Sequence, residues 1–392
     1  MKMNNINQIQ DLCFGCRSCE QVCPKNSIKF KYDKEGFLYP NIDSKTCIEC
    51  GLCLKKCPAN NLASHRNKPL KFYGVKNKND SEIMKSASGG VSDLLVQYIL
   101  QQGGVAFGAS YDENLRVHHI VVDDEQSRNQ IKSSKYVQSD LEDTYSKTKK
   151  YLLKGSIVLF TGTPCQISGL YSYLGKDYDN LYTIDLICHG VPSPIFFKKY
   201  IEYQNKKLGE NVLSFNFRSK DKRGWGTQYL IKTKTKTKTK TNILSLDKYG
   251  NHFMKGDCFR ESCYKCPFAN MERVGDLTIG DFWGVNNFHL EFFSSKGVSS
   301  VLINTDKGEK LLRTIQEKCL MIELIYDEVI YKQHNLVSPT VRTDDRNKIY
   351  QQLNEKNYIE NLKVGLQFKE RIKSIIPKNM IIYIKQLGGK NG

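Results

Sequence analysis

Two cysteine runs near the amino terminus constrain this chain more than any other feature. Each run has the spacing C-x2-C-x2-C-x3-C and is followed by a proline. The eight cysteines are Cys13, Cys16, Cys19, Cys23, Cys47, Cys50, Cys53 and Cys57. This spacing lets three thiolates hold one iron–sulfur cube while the fourth binds a neighbouring cube. A zinc ribbon would use two CxxC pairs, and a disulfide framework would need an oxidising compartment. The runs therefore predict two 4Fe–4S clusters.

The fourth cysteine of each run is expected to bind the cluster held by the other run, and this assigns every cysteine to a cluster. One cluster takes the first three cysteines of the first run together with Cys57, and the other takes the first three of the second run together with Cys23. Residues 27–32 and 36–42 between the runs are predicted as two short strands. We place the end of an α+β ferredoxin-like domain at residue 66, in a polar segment that ends in proline.

Cysteine usage and hydropathy indicate the compartment. Eight of the 14 cysteines lie within the first 57 residues, so the cluster-binding module is small and a larger remainder follows. The amino terminus lacks the apolar core of a signal peptide, and the apolar stretch 94–100 is far shorter than the roughly 20 residues that span a bilayer. We expect a cytoplasmic protein of an anaerobe, without a transmembrane segment and with reduced thiols.

The net charge of +18 has two explanations. It reflects either a solvated lysine-rich surface or attraction for an acidic partner, such as a ferredoxin-like electron carrier or a phosphate-bearing cofactor. The lysines are dispersed and no nucleic-acid-binding motif accompanies them, so nucleic acid is not expected as a partner.

Two basic segments have local interpretations. Residues 232–241 repeat Lys-Thr five times, which predicts a solvated strand with every lysine on one face. A flexible insert is the alternative interpretation. Residues 341–392 form a basic extension whose last thirty residues alternate lysine with isoleucine. We expect this extension to pack on the protein body rather than on a membrane surface.

Strands and helices alternate from residue 72 onward. The predicted strands are 105–110, 117–122, 156–161 and 181–188. The predicted helices are 91–102, 125–131, 144–153, 166–174 and 194–208. This alternation predicts an α/β domain with a largely parallel or mixed sheet over residues 70–340.

A second cysteine group lies in this larger domain. It reads Cys258-x4-Cys263-x2-Cys266-Pro267. Cysteines this close in a reducing cell are predicted metal ligands, and a third 4Fe–4S cluster would need one more thiolate. Cys188, at the end of a buried strand, is preferred, and Cys165, at the start of a helix, stays open. Cys319, placed on an amphipathic helix, is predicted to be a small core residue.

Five motifs of the larger domain together resemble the coenzyme F420 hydrogenase/dehydrogenase beta subunits. They are Ser88-Gly89-Gly90, Ser134-Lys135-Tyr136-Val137, Gly162-Thr163-Pro164-Cys165-Gln166, Cys188-His189-Gly190-Val191-Pro192 and the block 258–284. The resemblance covers roughly residues 70–320, and an amino-terminal ferredoxin domain is common in that family. It implies FAD, an iron–sulfur cluster, and electron exchange between a hydride carrier and one-electron partners.

The resemblance also implies an FAD site across three loops. The residues concerned are Ser88, Gly89, Gly90, Lys135, Tyr136, Thr163, Pro164 and Gln166. The two glycines would let the backbone approach a pyrophosphate at a helix amino terminus, and Lys135 would neutralise phosphate charge. No GxGxxG fingerprint is present after the first strand, so a Rossmann-type site is not expected. His189 is the candidate catalytic residue, as a proton or hydrogen-bond donor.

These observations predict an iron–sulfur flavoprotein oxidoreductase with an α/β flavin-binding domain. Clusters move single electrons and hydride carriers move pairs, so a protein that joins them needs a flavin. The hydride donor or acceptor is coenzyme F420 or another small organic molecule, the one-electron partner is a redox protein, and the chain can also assemble into an oligomer. The alternative is a non-catalytic electron-transfer subunit of a larger redox complex.

Overall fold

The computed structural model describes residues 4–62, 65–221, 223–234, 240–365, 376 and 380. The strands are β1 (Ile28–Tyr32), β2 (Leu38–Ile42), β3 (Lys71–Asn77), β4 (Val105–Tyr111), β5 (Val117–Val122), β6 (Val158–Gly162), β7 (Leu181–Leu186), β8 (Val212–Asn216), β9 (Gln228–Thr233), β10 (Lys240–Ile243), β11 (Leu277–Asp281), β12 (Ser299–Ile303) and β13 (Cys319–Leu324). The α-helices are α1 (Ser18–Gln21), α2 (Leu52–Lys55), α3 (Asp80–Lys85), α4 (Val91–Gln101), α5 (Glu125–Ile131), α6 (Thr144–Leu153), α7 (Pro164–Leu174), α8 (Pro194–Leu208), α9 (Lys248–Lys255), α10 (Val285–Phe288), α11 (Asp306–Arg313), α12 (Tyr326–Ile330), α13 (Asp345–Gln352) and α14 (Tyr358–Asn361).

One mixed sheet organises the larger part of the chain. Its strand order is β13-β3-β12-β11-β7-β6-β4-β5. The four central strands β11, β7, β6 and β4 are parallel to one another, and the strands outside them pair antiparallel. The prediction of an α/β domain with a mixed sheet is therefore confirmed.

Helices cover both faces of this sheet. On one face α4 and α11 bury Leu95 and Leu311 in the same core cluster as Leu159 of β6. On the other face Ile167 of α7 packs in a second cluster with Phe160 of the same strand. Successive residues of β6 thus enter opposite cores, which is why this strand is a continuous apolar run.

The amino-terminal module is a small unit built around the antiparallel pair β1 and β2. These two strands confirm the hairpin predicted between the cysteine runs. The module is attached to the larger domain by ion pairs. Arg17 donates to both carboxylate oxygens of Asp140, at 2.5 and 2.9 Å, and Arg346 donates to both oxygens of Glu35, at 3.1 and 2.6 Å. The module is therefore docked on the body by partly buried, two-point ion pairs.

The prediction for Cys319 was half right. The residue is 4% exposed and belongs to a core cluster, as expected. It does not lie on a helix, however, because α11 ends at Arg313 and Cys319 begins β13, where it pairs with Asn77 of β3. Pairing with the neighbouring strand decides its conformation, and that contact is between residues distant in the sequence.

The Lys-Thr repeat begins at the end of strand β9 and finishes at the start of strand β10, which pairs antiparallel with it. Strands β9 and β10 lie side by side, and Lys232 and Lys234 are exposed while Thr233 is buried. This part follows the predicted alternation, and residues 235–239 lie outside the described residues.

The described part of the carboxyl-terminal extension packs on the body. Ile349, Tyr350 and Ile359 are buried in the aromatic core that also contains Phe196 of α8. The basic, isoleucine-rich segment beyond residue 365 lies almost entirely outside the described residues. Across the part of the chain that the structure describes, no helix combines the length and apolar character needed to cross a membrane.

Candidate redox site

The first cysteine group, which we call the inner group, consists of Cys13, Cys16, Cys19 and Cys57. Burial raises the pKa of Cys57 to about 11. The thiolate of Cys13 contributes to this raised pKa, after burial. The pKa of Cys19 is also raised by burial and then by Cys13, Cys16 and Cys57. The structure thus places Cys57 with the first run, as the exchanged ligand assignment requires.

The second group, called the outer group, consists of Cys23, Cys47, Cys50 and Cys53. All four line one cavity. Cys50 is exposed and Cys53 is buried, so the group lies at the surface of the module. The backbone N–H of Ser27 donates to Cys23 Sγ at 3.3 Å, in the way that amides support cluster sulfurs.

The third group, called the sheet-edge group, consists of Cys165, Cys188, Cys263 and Cys266. All four line the same cavity. Burial raises the pKa of Cys165 and of Cys188 to about 12, and in both cases Cys266 is the thiolate that raises it most. Four thiols that hinder one another's ionisation form a donor set that a cationic iron–sulfur centre would stabilise.

The topology of the sheet brings Cys165 and Cys188 together. Strands β6 and β7 are parallel neighbours, with Gly162 opposite Asp185 at their carboxyl ends. Cys165 is the second residue of α7, directly after β6, and Cys188 follows β7 by two residues. Ligands of open α/β sheets bind outside this edge. The sequence interpretation treated the two cysteines as competitors, and the structure brings both to the group.

Cys258 lies outside the sheet-edge group. It is 0% exposed, belongs to the aromatic core cluster, and does not line the cavity. Besides burial, the groups that shift the pKa of Cys258 are Asp257 and Arg346, and no other cysteine is among them. The segment between Cys258 and Cys263 instead turns back along Val191, whose carbonyl accepts from the Arg260 amide at 3.0 Å. The structure therefore corrects the predicted membership of Cys258 in this group.

A buried salt bridge that the sequence interpretation missed holds the segment of Cys266 against the sheet. Arg273 Nη2 donates to Asp185 Oδ1 at 2.7 Å. The other carboxylate oxygen accepts from the amides of Val274 and Gly275, both at 2.9 Å. An aspartate inside the apolar run 181–188 was the available signal, because a buried carboxylate requires partners.

Helix α7 connects the inner group to the sheet-edge group. Cys165 lies in its first turn, and Gly169, one turn later, faces Cys16. A Cβ atom on Gly169 would lie 3.0 Å from Cys16 Sγ, so only glycine permits this approach. Cys165 is also among the groups that raise the pKa of Cys16, whose main cause is burial. The two cysteine groups are thus neighbours across one helix.

The predicted FAD loop at residues 88–90 makes its hydrogen bonds within the protein. The Gly89 amide donates to Ser299 Oγ at 2.9 Å, and Ser88 Oγ donates to the Val298 carbonyl at 2.8 Å. Gly90 is the residue before α4 and has φ +83°, in the region that favours glycine. These contacts account for the motif without a ligand, and the FAD assignment stays a prediction.

Lys135 is also occupied. Its Nζ donates to the carbonyls of Gln130, Lys132 and Ser133 at 2.9, 3.0 and 3.4 Å, which uses its three donors. The ammonium therefore closes its own loop in this structure and is not directed at a phosphate.

Arg218 joins two of the predicted FAD loops, and the sequence interpretation missed it. It donates to Tyr136 Oη at 3.0 Å and to the Ala87 carbonyl at 3.0 Å. It also forms a two-point ion pair with Asp281 at 2.6 and 2.8 Å, at the carboxyl end of β11. This pair therefore lies at the sheet edge that also carries Cys165 and Cys188.

The remaining predicted residues surround the sheet-edge cavity. Thr163, Pro164 and Gln166 line it, and Gln166 Oε1 accepts from the Thr163 amide at 2.9 Å. His189 also lines the cavity and is exposed, so its ring stands at the rim. His189 and the four sheet-edge cysteines therefore line the same cavity.

The cysteine groups differ from a single-ion site. Among residues 4–365, within the parts that the structure describes, no three His, Cys, Asp or Glu side chains converge on one metal ion. Each thiolate of a cube binds a different iron, so the four sulfurs stand farther apart than ligands about 2.3 Å from one zinc.

The cysteine-rich module and the mixed sheet identify the protein as an iron–sulfur protein with a large α/β domain. Residues 12–61 match the family described as a 4Fe-4S dicluster domain. Residues 155–327 match the family described as the carboxyl-terminal part of the beta subunit of coenzyme F420 hydrogenase/dehydrogenase. The predicted resemblance to the coenzyme F420 hydrogenase/dehydrogenase beta subunits is therefore confirmed over residues 155–327.

Two curated relatives span most of the chain. The coenzyme F420-dependent sulfite reductase of Methanocaldococcus jannaschii is 26% identical over 327 residues, which is 80% of this chain and 48% of that protein. The chain thus spans about half of that reductase. The F subunit of the F(420)H(2) dehydrogenase of Methanosarcina mazei is 22% identical over 333 residues, which is 80% of this chain and 85% of that protein. A chain of the F420-reducing [NiFe] hydrogenase complex from Methanosarcina barkeri is similar with a TM-score of 0.48 and 16% identity, over 77% of this chain and 96% of that one.

Proposed function

We propose that this chain is an iron–sulfur flavoprotein oxidoreductase with three 4Fe–4S clusters arranged in series. The observation that carries the proposal is the convergence of Cys165, Cys188, Cys263 and Cys266 on one cavity that adjoins the inner group. Each of the three groups offers four thiols, which is the ligand number of a cube. Protons leave the thiols when they bind the irons.

The order of the groups supports a path for single electrons. The outer group contains the exposed Cys50, where a redox partner protein can approach. Cys53 of the outer group is close enough to raise the pKa of Cys19 in the inner group. Cys165 of the sheet-edge group likewise raises the pKa of Cys16. The clusters would thus run from the surface of the module to the carboxyl edge of the sheet.

The proposal includes FAD and a hydride carrier at the sheet edge. A flavin supplies the conversion between electron pairs and single electrons. The support is the cavity wall at Thr163 and Gln166, with His189 at its rim as the candidate proton or hydrogen-bond donor. The Gly89 amide and the Lys135 ammonium would have to exchange their present partners before binding a phosphate. The relatives' names make coenzyme F420 the first carrier to test.

The second candidate function is an electron-transfer subunit without a flavin. The observation that favours it is the internal hydrogen bonding of Lys135 and Gly89, which leaves these predicted phosphate ligands engaged. Such a subunit would pass electrons onward at the sheet edge to a partner chain.

Anaerobic purification with iron, sulfide and flavin counted per chain tests both functions. About twelve irons and one FAD would support the first, and about twelve irons without flavin, even after incubation with FAD, would support the second. About eight irons would refute the sheet-edge cluster. Stopped-flow mixing with reduced coenzyme F420 then tests the carrier, because cluster absorbance must bleach when electrons enter.

A further inference from the structure

Arg260 is a buried charge without a carboxylate partner. Its side chain is 0% exposed. The other deeply buried arginines each pair with a carboxylate: Arg128 with Asp93, Arg218 with Asp281, Arg273 with Asp185 and Arg346 with Glu35. Within the described part of the chain, Arg260 forms no such pair, and its Nη2 has no hydrogen-bond partner. The charge of Arg260 acts on the Asp33 carboxylate without forming an ion pair with it. The guanidinium therefore lacks a direct counter-charge, which is strongly unfavourable in a buried position.

The neighbours of Arg260 belong to two cysteine groups. Its Nε donates to the Cys13 carbonyl at 2.6 Å, on the inner-group side. The same side chain lines the cavity that contains the four sheet-edge cysteines, and its charge lowers the pKa of Cys165 against the effect of burial. Nη1 donates to Gln138 Oε1 at 3.2 Å, which fixes the plane of the guanidinium. The charge therefore lies between the two groups.

The hairpin of the ferredoxin module shields this charge from water. The guanidinium carbon lies 3.9 Å from the ring centre of Tyr39 and 5.6 Å from that of Phe37. Aromatic faces are favourable for a cation but carry no net charge. In such a dry environment, the field of a fixed cation on a nearby redox centre is far stronger than at the surface.

We infer that Arg260 is the shared counter-charge of the inner and sheet-edge clusters, and that it raises the reduction potential of both relative to the outer cluster. This inference rests on the proposed clusters. Four thiolates make each cluster anionic, and each reduction adds one negative charge that a neighbouring cation stabilises. When an electron passes between the two, one cluster is oxidised, the other is reduced, and no proton moves. Arg260 thereby holds electrons next to the sheet-edge cavity.

An EPR-monitored redox titration of the anaerobically purified full chain tests this inference. In Arg260→Gln, the inner and sheet-edge potentials should fall by at least about 59 mV, a tenfold change in a one-electron equilibrium constant, and the outer potential should stay unchanged. Arg260→Lys keeps the charge and should restore most of the shift. Arg342→Gln, which removes an arginine paired with Glu261 near the surface, is the matched control and should shift none of the three.

Unchanged potentials in Arg260→Gln with a full iron count would overturn the inference. If that variant binds less iron than the wild type, Arg260→Met, which keeps the length of the side chain without its charge, is reconstituted anaerobically with iron and sulfide before the titration. A lowered inner potential in the clusters that form supports the counter-charge, and an unchanged one overturns it. The iron count of the wild type separately tests the proposed function. With eight irons, the sheet-edge cluster is refuted, while the response of the inner cluster still tests Arg260.

Discussion

Replacing Cys165 with alanine should remove about four irons from the anaerobically purified chain, whereas replacing Cys258 should remove none. The reason is geometric. Cys165 lines the sheet-edge cavity with three other cysteines, and Cys258 does not. A cube that loses one of four thiolates has an unprotected iron and is expected to be lost on purification. The iron count should fall from about twelve to about eight in Cys165→Ala.

The stability of Cys258→Ala can be worked from its burial. Its side chain is 0% exposed among aromatic residues, and Tyr350 Oη donates to its backbone carbonyl at 2.6 Å, a bond that the substitution keeps. Loss of the sulfur removes about 0.8 kcal/mol of transfer free energy for a group of methylene size. A residual cavity of roughly 20 Å³ adds about 0.5 kcal/mol. The free energy of unfolding should therefore fall by about 1–2 kcal/mol in chemical denaturation.

Two further variants control this comparison. Cys188→Ala should lose iron as Cys165→Ala does, because it removes another sheet-edge ligand. Cys319→Ala, at a buried cysteine on β13, should keep all the iron, as Cys258→Ala should. If Cys258→Ala lost about four irons while Cys165→Ala kept them, the assignment of the group from the tertiary structure would be wrong.

Three more predictions concern the surroundings of the clusters. Gly169→Ala should reduce the iron held by the inner group, because the new Cβ would lie 2.9 Å from Cys16 Cβ. Iron analysis and EPR measure this loss. Burial lowers the pKa of His119 from 6.5 to about 4. The unfolded state therefore binds the proton first, and stability should fall by up to about 3 kcal/mol between pH 6.5 and 4, a slope that His119→Gln removes in denaturation titrations. Asp140→Ala should cost about 2 kcal/mol in the same assay, because Arg17 loses both hydrogen bonds to this carboxylate and keeps only its pair with Glu20.

Each of these predictions has a control on a nearby residue. Ser172→Ala, on the same helix as Gly169, should keep the full iron count. His118→Gln, on the same strand as His119 but with a side chain that is 20% exposed, is the matched control in the same titration. Asp345→Ala removes an exposed ion pair with Lys348 and should change stability by less than about 1 kcal/mol. Equal effects in a variant and its control would contradict the stated cause.

The sequence alone determined the features that depend on local spacing. The two cysteine runs predict eight ligands, and the structure places Cys57 near Cys13 and Cys23 in one cavity with the second run. The alternation of strands and helices predicted the mixed α/β domain and most of its elements. The strands and helices follow from contacts within a few residues, and the exchange of the fourth cysteine follows from the repetition of one ligand run.

The tertiary structure decided which distant residues meet. The parallel pairing of β6 with β7 brings Cys165 and Cys188 to one edge. No spacing rule could rank them, because they lie 23 residues apart and follow different strands. Cys258, five residues before Cys263, is carried into the aromatic core instead. Arg260 becomes a buried charge without an ion-pair partner only when the ferredoxin hairpin covers it. Burial and electrostatic fields depend on the complete packing, so the local pattern of residues could not specify them.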